Sequence, residues 1–120
     1  MSETVVGVPL PPISDDFMRE NLLKAKQFTI VLLKKARAVG EGDAPIIWEH
    51  GRRNFSLREA GLMPIVCPVR DDSDLAGLCL FTAGADEAAR IMDGDPGVRA
   101  GLFSYEVHET KSFPGSALPA

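Results

Sequence analysis

A histidine, an aspartate and an arginine are the residues of this chain whose types and positions favour acid–base chemistry. His50 lies on the apolar side of a predicted helix, where Ile46, His50, Arg53 or Asn54, and Leu57 recur every three or four residues. Histidine exchanges protons near neutral pH, and a carboxylate bonded to one ring nitrogen leaves the other nitrogen free to act as a base. Asp95 is the candidate for that carboxylate. We therefore expect His50 and Asp95 to form the functional pair.

Each of these residues also has a purely structural interpretation. His50 fits a core histidine that is bonded to a backbone carbonyl. Asp95 directly precedes Pro96, so it fits the N-cap of a helical turn, and a capping carboxylate keeps a second oxygen for other bonds. Arg53 fits either a contact to a substrate anion or an ion pair with Glu49 at the edge of the helix. From the residues alone, these alternatives stay open.

Composition and charge exclude several classes of function. The chain has 120 residues, which fits one domain, with a net charge of −4 and a pI near 5.1. A nucleic-acid partner is not expected, because phosphate binding needs a basic stripe. No apolar run approaches the roughly 20 residues of a membrane span, and the first residues lack the pattern of a secretory signal. We expect a cytoplasmic protein without a membrane partner.

Hydrophobic periodicity and turn residues predict the elements that position the candidate pair. A strand at 28–33 is followed by a helix at 44–60, two strands at 62–69 and 75–83, a helix at 86–92 and a strand at 102–109. This order is the split βαβ pattern, which predicts an α+β, ferredoxin-like βαββαβ fold with a four-stranded antiparallel sheet and both helices on one face. We expect this domain to span 26–110, after an arm with a short helix at 1–25 and before a tail at 111–120.

Some predictions concern individual positions in these elements. The strand at 28–33 is apolar at every position but one, so we expect it to be buried on both faces. Asp43 is expected to cap the main helix and Gly61 to end it. Cys67 and Cys79 are expected nearly opposite each other across a hairpin, both reduced, and they lack the spacing of a zinc site.

The uncovered face of the predicted sheet indicates self-association. A bare apolar sheet face would be larger than a monomer usually exposes, so we expect a homodimer that pairs through the sheet faces. Trp48 is expected in the core or an interface. His108 is expected to face solvent or an interface, and no ligand spacing supports a metal site that joins it to His50 and Asp95.

A set of positions spread along the chain resembles the YCII-related domain family. The set consists of His50, Gly61, the strand that contains Gly77, Asp95-Pro96, Gly101 and the segment DPGVRAGLFSYEVH. The resemblance covers about residues 27–108 and implies a ferredoxin-like fold that pairs as a dimeric α+β barrel. It also implies a cleft that contains a histidine and an aspartate, here His50 and Asp95.

The resemblance also implies a class of chemistry. One branch of that family is a dehydrochlorinase of chlorinated hydroxyhydroquinones, and muconolactone isomerases and small monooxygenases share the same barrel. The implied function is a lyase or isomerase without cofactor or metal that acts on a small aromatic or enolic acid. His50 would be its base, Asp95 the orienting partner and Arg53 a substrate contact. The alternative is a non-catalytic dimeric module that binds a small molecule or assists a neighbouring enzyme.

Overall fold

Six strands and four helices form along residues 3–120, the part of the chain that the computed structural model describes. In chain order they are β1 Thr4–Val5, β2 Val8–Pro9, α1 Asp15–Leu23, β3 Lys26–Lys35, α2 Ala44–Glu59, β4 Ile65–Pro68, β5 Leu75–Phe81, α3 Ala85–Asp93, α4 Pro96–Arg99 and β6 Phe103–Ser112. Strands β3 to β6 form one antiparallel sheet in the order β4-β5-β3-β6, and β1 pairs with β2. The prediction of an α+β fold with a four-stranded antiparallel sheet is confirmed.

The chain divides into two units. Gln27–Lys111 carries the four-stranded sheet with α2, α3 and α4, whereas residues 3–26 and Ser112–Ala120 form the other unit. Helix α1 lies in the predicted N-terminal arm and begins after Ser14, whose hydroxyl accepts a hydrogen bond from the backbone N–H of Phe17 at 3.0 Å. The β1–β2 hairpin was not predicted. Within residues 3–120, no helix combines the length and the apolar character that crossing a membrane requires.

The hydrophobic core of Gln27–Lys111 lies on one face of the sheet, which we call the helix face. Thr29, Val31 and Leu33 of β3 are buried there, together with Cys79 and Phe81 of β5. The alternate residues of β3 are only half-buried. Within one chain, β3 is therefore buried on the helix face and half-buried on the other, because side chains alternate along a strand and the core occupies one side.

Helices α2 and α3 complete this core. Ala88 and Met92 of α3 are buried in it, and Leu57 of α2 packs against it. Helix α2 ends as predicted, since Gly61 has a φ of 76°, the left-handed conformation that favours glycine. The core thus fixes the position of α2, which carries His50.

The start of α2 differs from the prediction. Asp43 occupies the N-cap position, but its side chain makes no capping bond. Its carboxylate instead accepts hydrogen bonds from the Arg37 guanidinium at 2.7 and 3.2 Å and from the Gly40 N–H at 2.7 Å. The ψ of −19° at Asp43 is already helical, whereas a capping residue is typically extended. Asp43 therefore closes the loop between β3 and α2.

The two cysteines are not opposite each other. Cys67 pairs with Leu78, and Cys79 pairs with Val66 in the adjacent position of the β4–β5 ladder. Neighbouring positions point to opposite faces of a sheet, so the two thiols are on different sides. Both are free, and burial raises the pKa of Cys79 to about 12, with the charges of Cys67 and Asp95 adding to the effect.

We expect Asp43→Asn to lower the stability at neutral pH. The Arg37 guanidinium and the Gly40 N–H hold the pKa of Asp43 at about 2, against an ordinary value of 3.8. A lowered folded-state pKa means that the stabilisation is complete above pH 3.8 and disappears as the pH falls through 2. Urea unfolding should therefore separate the variant from the wild type at pH 7 and bring the two together near pH 2.

The matched control is Glu87→Gln, which removes an exposed ion pair between Glu87 and Arg90 on α3. We expect this variant to change the free energy of unfolding much less than Asp43→Asn does, because water and salt screen an exposed ion pair. A difference between Asp43→Asn and wild type that stays constant from pH 7 to pH 2 would contradict the proposed role of the carboxylate.

Candidate active site

The candidate site forms where helix α2 meets the segment between α3 and β6. His50, Arg53 and Asn54 project from adjacent turns of α2, as their three- and four-residue spacing requires. The facing segment contains Asp95, at the N-cap of α4. All of these residues belong to Gln27–Lys111, so one packed unit positions them.

The structure brings His50 and Asp95 together. The Nδ1 atom of His50 lies 2.7 Å from Oδ1 of Asp95. The His50 side chain is 14 % exposed, and Asp95 is fully buried. The pair is therefore a short, largely desolvated hydrogen bond, in which an ionised partner strengthens the interaction.

Asp95 also fills the structural role that the sequence suggested. Its second oxygen, Oδ2, accepts hydrogen bonds from the N–H groups of Gly97 at 2.9 Å and Val98 at 3.1 Å. The two interpretations of Asp95 are thus compatible, because each oxygen serves one of them. Burial raises the pKa of Asp95, but the hydrogen bond and charge of His50 and the two N–H groups outweigh it and leave the pKa below its ordinary value.

The hydrogen bonds of Asp95 determine the tautomer of His50. An ionised carboxylate can only accept hydrogen bonds, so the proton of a neutral imidazole must be on Nδ1. The lone pair then lies on Nε2, 3.3 Å from the amide nitrogen Nδ2 of Asn54, which donates to it. Sequence reasoning gave Asn54 no role, although its position four residues after His50 was the available signal.

An aromatic ring packs on the face of the imidazole. The ring centroids of His50 and Phe103 are 4.9 Å apart, with an interplanar angle of 48°. Phe103 in turn lies against Gly97, where an added Cβ atom would be 2.5 Å from two of its ring carbons. Gly97 therefore both donates to Asp95 and leaves room for Phe103. Nothing in the local sequence indicated this contact, because the two residues belong to different elements.

Arg53 contacts backbone in this structure. Its Nη2 atom donates to the carbonyl of Ile91 at 2.7 Å, at the end of α3, and its Nη1 atom is buried without a hydrogen-bond partner among residues 3–120. The ion pair considered for Arg53 is not formed, since Glu49 pairs with Arg52 instead. Arg53 as a substrate contact stays a prediction.

His108 lies on β6 in an exposed position, consistent with the expectation that it faces solvent or an interface. Its Nε2 atom is 3.1 Å from Glu106 on the same strand. Over residues 3–120, no group of three histidine, cysteine or acidic side chains is arranged to hold a metal ion.

We expect Gly97→Ala to destabilise the protein by about 1–3 kcal/mol, because Phe103 must move to admit the new methyl group. That movement also changes the ring on the face of His50, so the His50 proton resonances should shift in an NMR spectrum. The chain has two histidines, and His50→Gln therefore assigns the signals. Gly84→Ala is the matched control, since a Cβ atom there meets nothing within 4 Å. Equal stability and unchanged His50 resonances in Gly97→Ala would contradict this packing.

The chain was also compared with known proteins. Neither the protein-family models nor the curated proteins searched include a match to it.

Proposed function

We propose that this protein is a YCII-related lyase or isomerase that works without a cofactor and uses His50 as a general base. The observation that carries the proposal is the 2.7 Å contact between His50 Nδ1 and the fully buried carboxylate of Asp95. Such a carboxylate fixes the tautomer of the imidazole and stabilises the imidazolium that forms when the other nitrogen takes a proton. The resemblance to the YCII-related family, described above, supports the choice of reaction class.

The proposed reaction begins with transfer of a proton from the substrate to Nε2 of His50. The proton leaves an acidic carbon or a phenolic oxygen, and its electron pair moves into the conjugated system of the substrate. In an elimination, that pair expels a leaving group such as halide. In an isomerisation, the imidazolium returns the proton to a different carbon. A small aromatic or enolic acid suits both outcomes, because delocalisation of the electron pair lowers the barrier to proton removal.

Asn54 and Arg53 would complete the substrate site. The 3.3 Å bond from Asn54 to Nε2 is long for a hydrogen bond, so a substrate proton can replace it at low cost. The amide of Asn54 is then free to bind a substrate oxygen. Arg53 would supply the contact to a substrate carboxylate through Nη1, which has no partner among residues 3–120 but is buried, so the guanidinium must turn to expose it.

A specific observation favours the alternative of a non-catalytic binding module. Both ring nitrogens of His50 already have partners within the chain, Asp95 and Asn54. An imidazole whose two nitrogens are both hydrogen-bonded within the chain is stable without a bound substrate. The experiment must therefore detect proton transfer itself rather than binding.

We expect the protein to catalyse exchange of the carbon-bound protons of its substrate with D2O. The loss of their signals is followed by ¹H NMR on a panel of small enolic and phenolic acids. His50→Gln should reduce the exchange rate by about 10²–10⁴-fold, the usual contribution of a general base. Asp95→Asn should reduce it less, because the base remains but loses its fixed tautomer. His108→Gln is the control and should match the wild type. Exchange at the wild-type rate in His50→Gln, or binding of a panel acid without exchange, would favour the non-catalytic module.

We also propose a ferredoxin-like fold and a homodimer through the second face of the sheet, which we call the outer face. The order β4-β5-β3-β6 and the succession of strands and helices support the fold. On the outer face, Ile30 pairs with Leu80 and Leu32 with Leu78, all four half-buried. An ion pair between Lys34 and Glu106 at 2.6 Å borders them on the β6 side. An apolar centre with a polar rim is typical of a protein interface.

We expect Leu78→Glu to dissociate this homodimer, since it places a charge in the apolar centre of the outer face. Sedimentation velocity at one protein concentration should show a smaller species for the variant, with an unchanged far-UV circular dichroism spectrum. Ser56→Glu adds the same charge at an exposed position of α2, which packs on the helix face, and should behave as the wild type. A wild-type mass in Leu78→Glu would place any interface elsewhere.

A further inference from the structure

Helix α2 presents an aromatic surface on the side away from the core. Trp48 is 69 % exposed and Phe55 is 61 % exposed, although aromatic side chains usually contribute much of their area to cores and interfaces. The two are seven residues apart, which is two helical turns or about 10 Å along the axis. We call this surface, formed by Trp48, Gly51, Arg52 and Phe55, the aromatic face of α2.

Gly51 is the second unusual feature of this face. Glycine in a helix interior costs roughly 1 kcal/mol relative to alanine. No contact among residues 3–120 explains it: a Cβ atom at Gly51 would have no neighbour there within 4 Å, and its φ is not positive. Gly51 lies on the turn between the two aromatic residues. It leaves a notch that suits the close approach of another helix.

The charges around the aromatic face are balanced. Glu49 and Glu59 oppose Arg52 and Arg58, and the Arg52 guanidinium already pairs with Glu49 at 3.1 Å. Because these charges cancel, the surface has no net electrostatic attraction for a strongly acidic or basic partner. A second copy of the same surface would meet no net repulsion.

We infer that the aromatic face of α2 is a contact between two copies of this chain, with the helices crossing antiparallel about Gly51 and Arg52. In that arrangement, residues that lie equally far from the crossing point on opposite sides face each other. Trp48 of one copy therefore contacts Phe55 of the other at both ends. Arg52 of one copy covers the notch at Gly51 of the other. The contact is isologous and closes after two copies, as a two-fold axis requires.

This contact is separate from the outer-face homodimer and does not depend on the His50–Asp95 chemistry. The aromatic face is small beside the roughly 800 Å² that each partner gives to a standard interface. We therefore expect a weak association that depends on protein concentration. Where the outer-face contact also forms, each copy contacts two neighbours through different surfaces, and the assembly closes at four copies if the two two-fold axes cross at right angles.

The test uses Trp48, which is the single tryptophan of the chain. As the protein concentration rises, the Trp48 emission should shift to the blue and acrylamide quenching should fall, in parallel with a rise in mass measured by sedimentation. Gly51→Gln fills the notch with a residue that favours helix, so it should keep the helix and lose the Trp48 changes. Ser56→Gln puts the same side chain on an exposed position of α2 off the aromatic face and should match the wild type.

Leu78→Glu separates this proposal from the outer-face homodimer, because it should lower the mass but keep the concentration-dependent Trp48 shift. Trp48 emission that does not change with concentration would overturn the inference. So would a shift that survives in Gly51→Gln, or one that is also lost in Ser56→Gln. A rise in mass without any change at Trp48 would place the contact on another surface and overturn it as well.

Discussion

The buried carboxylate of Asp95 is the constraint on which the candidate site depends. A charge without solvent is costly unless hydrogen bonds compensate it, and Asp95 is fully buried. Three donors provide that compensation: His50 on α2 and the N–H groups of Gly97 and Val98 on α4. Because the donors come from two elements, the carboxylate can be satisfied only when α2 is docked on α4. The His50–Asp95 hydrogen bond therefore forms only together with the packing of α2 on α4.

Two further contacts fix the last turn of α3, which directly precedes Asp95. The guanidinium of Arg53 binds the Ile91 carbonyl at the end of α3, and the Tyr105 hydroxyl donates to Asp93 at 2.5 Å. These bonds connect α2 and β6 to the last turn of α3, immediately before Asp95. The geometry of the pair thus rests on three elements rather than on one flexible loop. This explains how a carboxylate on a loop can meet a helical histidine at a fixed distance.

The elements were predictable where their signals are local. The apolar spacing of α2, the Asp95-Pro96 cap and the left-handed Gly61 each depend on residues close in sequence. Contacts between distant elements carry no such signal. The partner of Asp43 and the approach of Phe103 to Gly97 became visible only in three dimensions. The pairing of Cys67 with Leu78 was missed for a related reason, since a shift of one residue in register reverses every face.

The two ring nitrogens of His50 make hydrogen bonds of unequal strength, and this asymmetry determines which nitrogen a ligand can reach more easily. Nδ1 donates to a charged, buried acceptor at 2.7 Å, whereas Nε2 accepts from a neutral amide at 3.3 Å. Hydrogen bonds to charged groups contribute about 1.5–3 kcal/mol, and neutral ones about 0.5–1.5 kcal/mol. A ligand that competes for the imidazole will therefore displace Asn54 and leave Asp95 in place. Since Asn54 lies one turn along α2 from His50, the substrate of the proposed reaction would approach along that side of the helix.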